Sequence, residues 1–444
     1  MVSVVAQLAN PGELANLSTY SLGHSRYWAD LGQFALVKTQ LNNMMQSLIP
    51  AVDDKLQYIV LKVLGTVTGS WKEIDLDESI RMIVAGSSGR FTVGLPLCCN
   101  EDYLKRTLSI IDCVTITAII GNCIPPILLP IVARLSSLDT WSNLIKIKNH
   151  ITPQYHERMA ALEKDTDDQP QDQLQVMLRF VQKKRSQEGY EIGIIATSLA
   201  ASNFVSMHQT SGTAVQMLLN IIDSDKEFNT IAKLREEAER ELGGGSWAKE
   251  EFMRMNGHDS VARESMSVTF PFGNRGLLRK VMKVGVVTDG GIPLKKGTIV
   301  AFLASQAQRD LAKFLESDKL DLWRFSCMVE KEQEKGEAKK PAYNANSFVA
   351  TSPDHLPFGH GHHACSGHFL VDFELKMIVA YILKHYDLGF PREYNGKRPS
   401  NRQVAELQAP RVDWICSHVP GKPWVFLSGC TVISASVLYS FHCL

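Results

Sequence analysis

A mainly α fold with small β-sheets is what this sequence predicts, on three observations. Apolar residues recur at three- and four-residue spacing over Leu41 to Leu64, Tyr155 to Leu162, Asp172 to Gln187, Ile192 to Ile222 and Glu227 to Leu242, which is the period of amphipathic helices. Strand signals are few and late: Lys280 to Val287 and Thr298 to Leu303 alternate around the turn Asp289-Gly290-Gly291, as a hairpin does. The 444 residues are 45% apolar and 21% charged, a composition that excludes a disordered, collagen-like or small disulfide-scaffold chain.

Taken in order, the start MVSVVAQLANPGELANLSTYSLGHSRYW has no basic region followed by a sustained apolar stretch, so no signal peptide is read. Cys113 to Ala133 carries no charge, but Asn122, Pro125, Pro126 and Pro130 interrupt it. A buried helix ending in a proline turn is expected there, not a membrane span. Glu163 to Gln173 and Glu330 to Lys340 are polar connections, and the helices between them differ too much to form a repeat array. The stretch Pro423 to Leu444 is uncharged apart from His442. It is long enough for a C-terminal anchor but rich in Ser, Thr and Gly, so anchor and translated intron stay open. The 47 basic and 47 acidic residues cancel, which gives no reason to expect a nucleic-acid partner. Nine cysteines without regular spacing read as reduced or liganding thiols inside the cell.

The chemistry sits late, between Pro357 and Tyr386. Five of the thirteen histidines fall between His355 and His368, around Cys365 and three glycines. A structural zinc site would need four ligands, normally as two separated pairs, and only one cysteine is present. The order is more telling. Phe358 opens a glycine-rich loop, Gly359 and Gly361 allow turns, and Gly367 follows Cys365 just before a helix with apolar Phe369, Leu370, Phe373, Met377, Ala380 and Tyr381. A thiolate at a helix start, with backbone N–H groups aimed at the sulfur, is a stabilised anion and a soft metal ligand.

The run FGHGHHACSG resembles the haem-binding loop of cytochrome P450 monooxygenases, F-x-x-G-x-x-x-C-x-G, at every fixed position. The resemblance implies a P450-like helical fold and haem (heme, iron protoporphyrin IX) as cofactor. Cys365 would be the metal ligand and His363 would reach a haem propionate; Phe358, Gly361 and Gly367 would shape the loop. SMHQTSG, within Ile192 to Ile222, lies where the family has small-Gly-x-acid-Thr. By the resemblance Thr210 relays protons, with Gln209 in place of the acid and His208 beside it. The fungal secondary-metabolism branch carries AIHTTS there, the nearest pattern to this one. LREEAERELGGGSWAKEEFMRMNGHDSVARES and SWKEIDLDESIRMIVAGSSGRFTVGLPLCCNEDYL also resemble that branch. The triple glycine reads as a turn, because no Gly-Lys-Ser/Thr follows it.

The resemblance runs from about Gln40 to Arg411 and implies oxidation of a small apolar substrate, terpenoid or alkaloid in type. The reaction would use O₂ and NADPH electrons delivered by NADPH-cytochrome P450 reductase, a flavoprotein. Val205, Ser206, Phe270 and Phe272 would line the pocket, and ordinary core packing is the competing reading of the two phenylalanines. The family's Glu-x-x-Arg reads Glu264-Ser265-Met266-Ser267, and Arg324 in LDLWRF is the expected later partner of Glu264. Arg263 lies about 100° round a helix from Glu264, a poor position for a substitute. The lost arginine motivates the alternatives: a degenerate haem-binding pseudoenzyme, or a helical interaction protein without haem.

Residues 1–419 are read as the monooxygenase-like domain and 420–444 as an unassigned apolar tail. The N-terminal anchor, the proline-rich hinge and the first sheet strands of the family are expected to be missing, which would leave an open edge beside the hairpin. An incomplete fragment or a truncated gene model would each produce that pattern. Location depends on the anchor: the endoplasmic reticulum membrane surface by resemblance, or the cytoplasm without the anchor.

Overall fold

The computed structural model of the chain describes residues 8–9, 32–66, 71–164, 170–184, 192–243, 247–269, 276–334, 345–399, 402–404, 407–409 and 414–418, apart from 123, 126, 289, 303, 362 and 363. Helices dominate: α1 (Gly32–Leu64), α2 (Leu76–Thr92), α3 (Glu101–Asn122), α4 (Leu129–Ser136), α5 (Leu138–Glu163), α6 (Gln173–Lys184), α7 (Ile192–Phe228), α8 (Thr230–Leu242), α9 (Lys249–Phe252), α10 (Asn256–Val268), α11 (Ala304–Gln308), α12 (Arg324–Glu334) and α13 (His368–His385). The five helices expected from periodicity correspond to α1, α5, α6, α7 and α8. The uncharged stretch after Cys113 is α3 followed by a turn through Pro125 into α4, and no helix among the described residues is long and apolar enough to cross a membrane. The tail beyond His418 lies outside the described residues.

Helix starts follow local chemistry. Asp75 accepts the Glu78 N–H at 2.8 Å and caps α2, satisfying one of the unpaired donors of its first turn. Asp172 accepts the Gln175 N–H at 2.9 Å at the start of α6. The same carboxylate takes both arms of buried Arg158, at 2.6 and 2.8 Å, from α5. A bidentate pair of this kind fixes orientation as well as charge.

The core lies between α1, α2, α7 and α13. Ala214, Val215, Met217, Leu218, Leu219 and Ile221 of α7 are all fully buried, so that helix buries apolar residues all round here and not on one stripe. Gly86 of α2 lets α1 approach: a Cβ there would stand 2.9 Å from Ile59 Cγ1, closer than packed carbon atoms come.

Among the described residues the helices are joined by four small sheets. In the first, β1 (Leu8–Ala9), β3 (Gly276–Val281) and β6 (Ile299–Phe302) pair in the order β1-β3-β6. In the second, β10 (Trp414–His418) lies between β2 (Lys72–Asp75) and β7 (Asp387–Gly389), and in the two others β4 (Val286–Val287) pairs with β5 (Pro293–Leu294) and β8 (Arg402–Val404) with β9 (Leu407–Ala409). Two findings refine the expected hairpin. Gly285 and Gly297 adopt φ of +82° and +90°, bends suited to glycine, and they divide one long hairpin into the outer ladder β3–β6 and the inner ladder β4–β5. The edge of β3 expected to stay open is paired with β1, Leu8 opposite Val281 and Ala9 opposite Lys280.

One buried carboxyl links α13 to α2. The Ser87 and Ser88 hydroxyls each donate to Glu374 Oε1 at 2.7 Å, and burial, opposed by these two bonds, pushes the carboxyl up to about 7 from 4.5. The folded chain therefore holds a proton that the unfolded chain releases between those values, so stability falls as pH rises through that window. The loss is complete above it and amounts to roughly 3 kcal/mol. Glu374→Gln keeps the acceptor and removes the titration. Thermal melts from pH 4 to 8 should show the variant gaining on wild type as pH rises through that window, whereas parallel curves would contradict the assignment.

Candidate functional site

The loop before α13 is shaped by its backbone. The Gly359 N–H donates to Leu356 O at 2.9 Å, the Ala364 N–H to Gly361 O at 3.1 Å, and the Cys365 N–H closes the loop onto Phe358 O at 2.7 Å. Gly359 and Gly361 take φ of +75° and +72°, a left-handed conformation that disfavours other residues. Gly367 caps α13, its carbonyl accepting the Val371 N–H at 3.1 Å. The Phe358 ring packs against Phe348 and His368 with centroids 5.9 and 6.1 Å away. His368 Nδ1 also bonds the Cys365 carbonyl.

Cys365 thus sits at the N-terminal end of α13. Burial raises the pKa of its thiol, and the backbone N–H groups of Gly367 and His368 act against that rise. These donors favour the anionic sulfur. Among the described residues no group of three or more His, Cys, Asp or Glu side chains could hold a metal ion, so the sulfur stands as a single soft donor.

α7 packs against α13 and carries the second part of the site. Thr210 is fully buried, and its hydroxyl, like that of Ser206 one turn earlier on the same face, is buried without a hydrogen-bond partner. Two buried hydroxyls without partners on one face are free to meet a bound group. Gln209 is exposed, and His208 keeps an exposed edge while stacking parallel to Phe204 with ring centroids 6.3 Å apart. Burial and the positive charge of Arg81 both hold the His208 imidazole below its ordinary pKa. Its neutral form can accept a proton. Single sulfur, backbone donors, glycine bends and unpaired hydroxyls together fit a haem with a thiolate ligand.

The structure joins Cys365, Phe358, Gly361 and Gly367 in one loop, and Ser206 and Thr210 on one helix face. His363, Phe270, Phe272 and the Val205 side chain lie outside the described residues. Glu264 and Arg324 do pair directly: Nε and Nη2 approach the carboxylate at 3.3–3.4 Å, and the Asp321 N–H donates to it at 3.0 Å. Arg324 also donates to the carbonyls of Glu316 and Lys319 at 3.1 and 2.9 Å, and to Leu315 O. Ser267 is buried, and Arg263 turns elsewhere. Its Nη1 donates to Ala345 O at 2.7 Å and its guanidinium lies 4.2 Å from the Phe325 ring centroid.

Sequence reasoning missed Lys376. Its ammonium is fully buried between Asp372 at 2.8 Å and Asp259 at 3.2 Å, and it donates to Phe252 O at 2.9 Å. The available signal was an Asp and a Lys four residues apart in a helix that is mostly apolar.

Burial, opposed by the Asp321 N–H and Arg324, pushes the Glu264 carboxyl up to about 7, so losing Arg324 near neutral pH costs less than the roughly 3–5 kcal/mol of a fully charged buried pair. Arg324→Ala should lower the thermal midpoint, and Arg324→Lys should recover little, because it cannot bridge carboxylate and carbonyls with a planar fork. A calorimetric scan in which Arg324→Ala matches wild type would show that the pair holds nothing.

Comparison with known proteins agrees with this geometry. The sequence model of the family described as Cytochrome P450 matches residues 26–414. Cytochrome P450 monooxygenase tenB of Beauveria bassiana is 42% identical over 402 residues, covering 89% of this chain and 74% of the relative. Cytochrome P450 monooxygenase pbrC of Penicillium brasilianum is 42% identical over 407 residues, with 90% and 75% covered. Cytochrome P450 monooxygenase astC of Aspergillus terreus is 40% identical over 407 residues, again with 90% and 75% covered. The chain belongs to the cytochrome P450 monooxygenase family, whose cofactor is haem held by a cysteine thiolate.

Proposed function

We propose that this chain oxidises an apolar secondary metabolite, terpenoid or alkaloid in type, by inserting one oxygen atom of O₂ with NADPH electrons delivered through a flavoprotein reductase. The observation that carries the reading is Cys365 at the head of α13, with the Gly367 and His368 N–H groups on its sulfur. When bound, the haem supplies the activation of dioxygen, and the thiolate donates electron density that favours O–O cleavage.

The chain's own residues do the rest. Cys365 holds the metal, and the closed loop from Phe358 keeps the sulfur in place. His363 is assigned to a haem propionate. Thr210 offers a hydroxyl that both accepts and donates a proton, with Gln209 and neutral His208 as the polar groups that resupply it. Val205, Ser206, Phe270 and Phe272 are assigned to the pocket wall, whose apolar members exclude water from the reacting carbon. Association with the endoplasmic reticulum membrane surface is supported by the apolar face around α4, where Ile127, Ile131, Leu135 and Leu138 are exposed.

With purified reductase, NADPH and a panel of terpenoid and alkaloid substrates, mass spectrometry should detect a product heavier by one oxygen atom, labelled when ¹⁸O₂ is supplied. Thr210→Val should lower product formed per NADPH by about a hundredfold, the lower end of what one positioned proton donor contributes. Unchanged coupling in Thr210→Val would remove Thr210 from proton handling, and label from water in place of O₂ would reject the reaction class.

A further inference from the structure

A cationic pocket borders the exposed apolar face of α4 and α5. α3 and α5 run antiparallel, joined through α4: the Thr117 hydroxyl donates to Ser136 O at 3.2 Å, Asn143 Nδ2 to Ser109 Oγ at 3.1 Å, and His150 Nε2 bonds Asp102 Oδ2 at 2.7 Å. At the end of this hairpin far from α4, Asp102, Arg106, Lys146, Asn149 and His150 line a cavity of about 310 Å³ that opens to solvent. Asp102 is the one acid among these lining residues, and it is already taken. Arg106 Nε reaches Asp102 Oδ2 at 2.7 Å, as His150 does, and these bonds, with that of Arg106 the larger, hold the Asp102 carboxyl below the ordinary carboxylate range. Arg106 Nη1 is 3.3 Å from Asn143 Oδ1. Lys146 and Asn149 are exposed, and among the described residues no carboxylate pairs with Lys146. Two cations against one acid leave the cavity positive.

The same hairpin carries apolar side chains in water. Ile127, Ile131, Leu135, Leu138 and Ile145 are each more than half exposed. At about 100° per residue, Leu138, Ile145 and Asn149 fall on one stripe of α5, with Lys146 and His150 on the side toward α3 and Lys148 on the other side. An apolar face this open marks an interaction surface, and an apolar stripe bordered by cations is the pattern of a helix lying on an anionic bilayer. We propose that the pocket receives the phosphate headgroup of an anionic phospholipid while the α4–α5 face lies on the membrane. The inference rests on the membrane-surface reading above and adds to it a lipid class and a headgroup site. The Arg106 guanidinium and the Lys146 ammonium supply the charge, the Asn149 amide supplies a further donor, and Leu138 and Ile145 meet the acyl region beside the headgroup. A soluble acidic partner would use the charge and leave the stripe in water, so the bilayer is favoured.

The experiment sediments the haem-loaded full chain with vesicles of phosphatidylcholine alone and of phosphatidylcholine mixed with phosphatidylinositol. Binding should be tighter to the mixed vesicles. Lys146→Gln should weaken that binding by about fivefold, the effect of one charge at an anionic surface, and Arg106→Gln, which also uncovers Asp102, by more. Lys148→Gln makes the same change of net charge outside the pocket and should cost clearly less. Asn149→Trp fills the cavity without changing net charge, and should remove the preference for phosphatidylinositol while binding to phosphatidylcholine persists. The thermal midpoint and the reduced carbon monoxide difference spectrum confirm that each variant is folded; Asn149 is exposed, so its variant decides even if Arg106→Gln does not fold. Equal binding to the two vesicles, a preference that survives Asn149→Trp, or Lys148→Gln costing as much as Lys146→Gln would overturn the proposal. A thermal midpoint raised by inorganic phosphate over chloride at matched ionic strength, with no vesicle preference, would assign the pocket to a free anion and overturn it too. No binding to either vesicle would reject the membrane-surface reading together with the proposal.

Discussion

One buried ammonium organises the region behind the thiolate loop. Lys376 of α13 reaches Asp372 on its own helix, Asp259 on α10 and the carbonyl of Phe252 at the end of α9. Asp259 passes the connection on, accepting the Ser347 hydroxyl at 3.0 Å and the Phe348 N–H at 3.3 Å. Phe348 O bonds His355 Nε2 at 2.7 Å, and its ring packs on Phe358, where the loop begins. The helix that follows Cys365 and the loop that holds it are therefore tied to the same charge. Charges this deeply buried persist only with excellent geometry and nearly full hydrogen bonding.

Other members of the polar layer act by the same rule. Glu237 of α8 accepts the N–H groups of Gly257 and His258 at 2.7 and 3.0 Å and the His258 ring at 2.7 Å. It sits at the N-terminus of α10, where negative charge is favoured. Glu264, farther along α10, is held by Arg324 and the Asp321 N–H, which fixes the segment ahead of α12. α10 is thus gripped at both ends by carboxylates that face different partners. With Arg324 in place, Glu264 stays paired although position 267 is a serine.

Much of this was legible in the sequence because it is local. The loop from Phe358 to Gly367 is one contiguous pattern, and long periodic helices such as α7 declare themselves without tertiary information. What stayed hidden depends on distant residues meeting. Lys376 looks like a partner for Asp372 alone until Asp259, more than a hundred positions earlier, comes to face it. Arg263 reads as a poor partner for Glu264, which it is, but nothing in the sequence shows that Ala345 O and the Phe325 ring receive it. The two ladders replaced one long hairpin because Gly285 and Gly297 adopt left-handed backbone, and a glycine permits that conformation without announcing it.

If Cys365 is the metal ligand, the Lys376 network is what holds it in place. The most direct measurement is the reduced carbon monoxide difference spectrum of purified wild type and Lys376→Met, both normalised to protein and produced with excess haem precursor. Wild type should show a thiolate-type Soret band, and the variant should lose most of that band and melt at a lower temperature. A wild-type protein with no such band, or a variant that keeps the full band and an unchanged midpoint, would contradict these roles of Cys365 and Lys376.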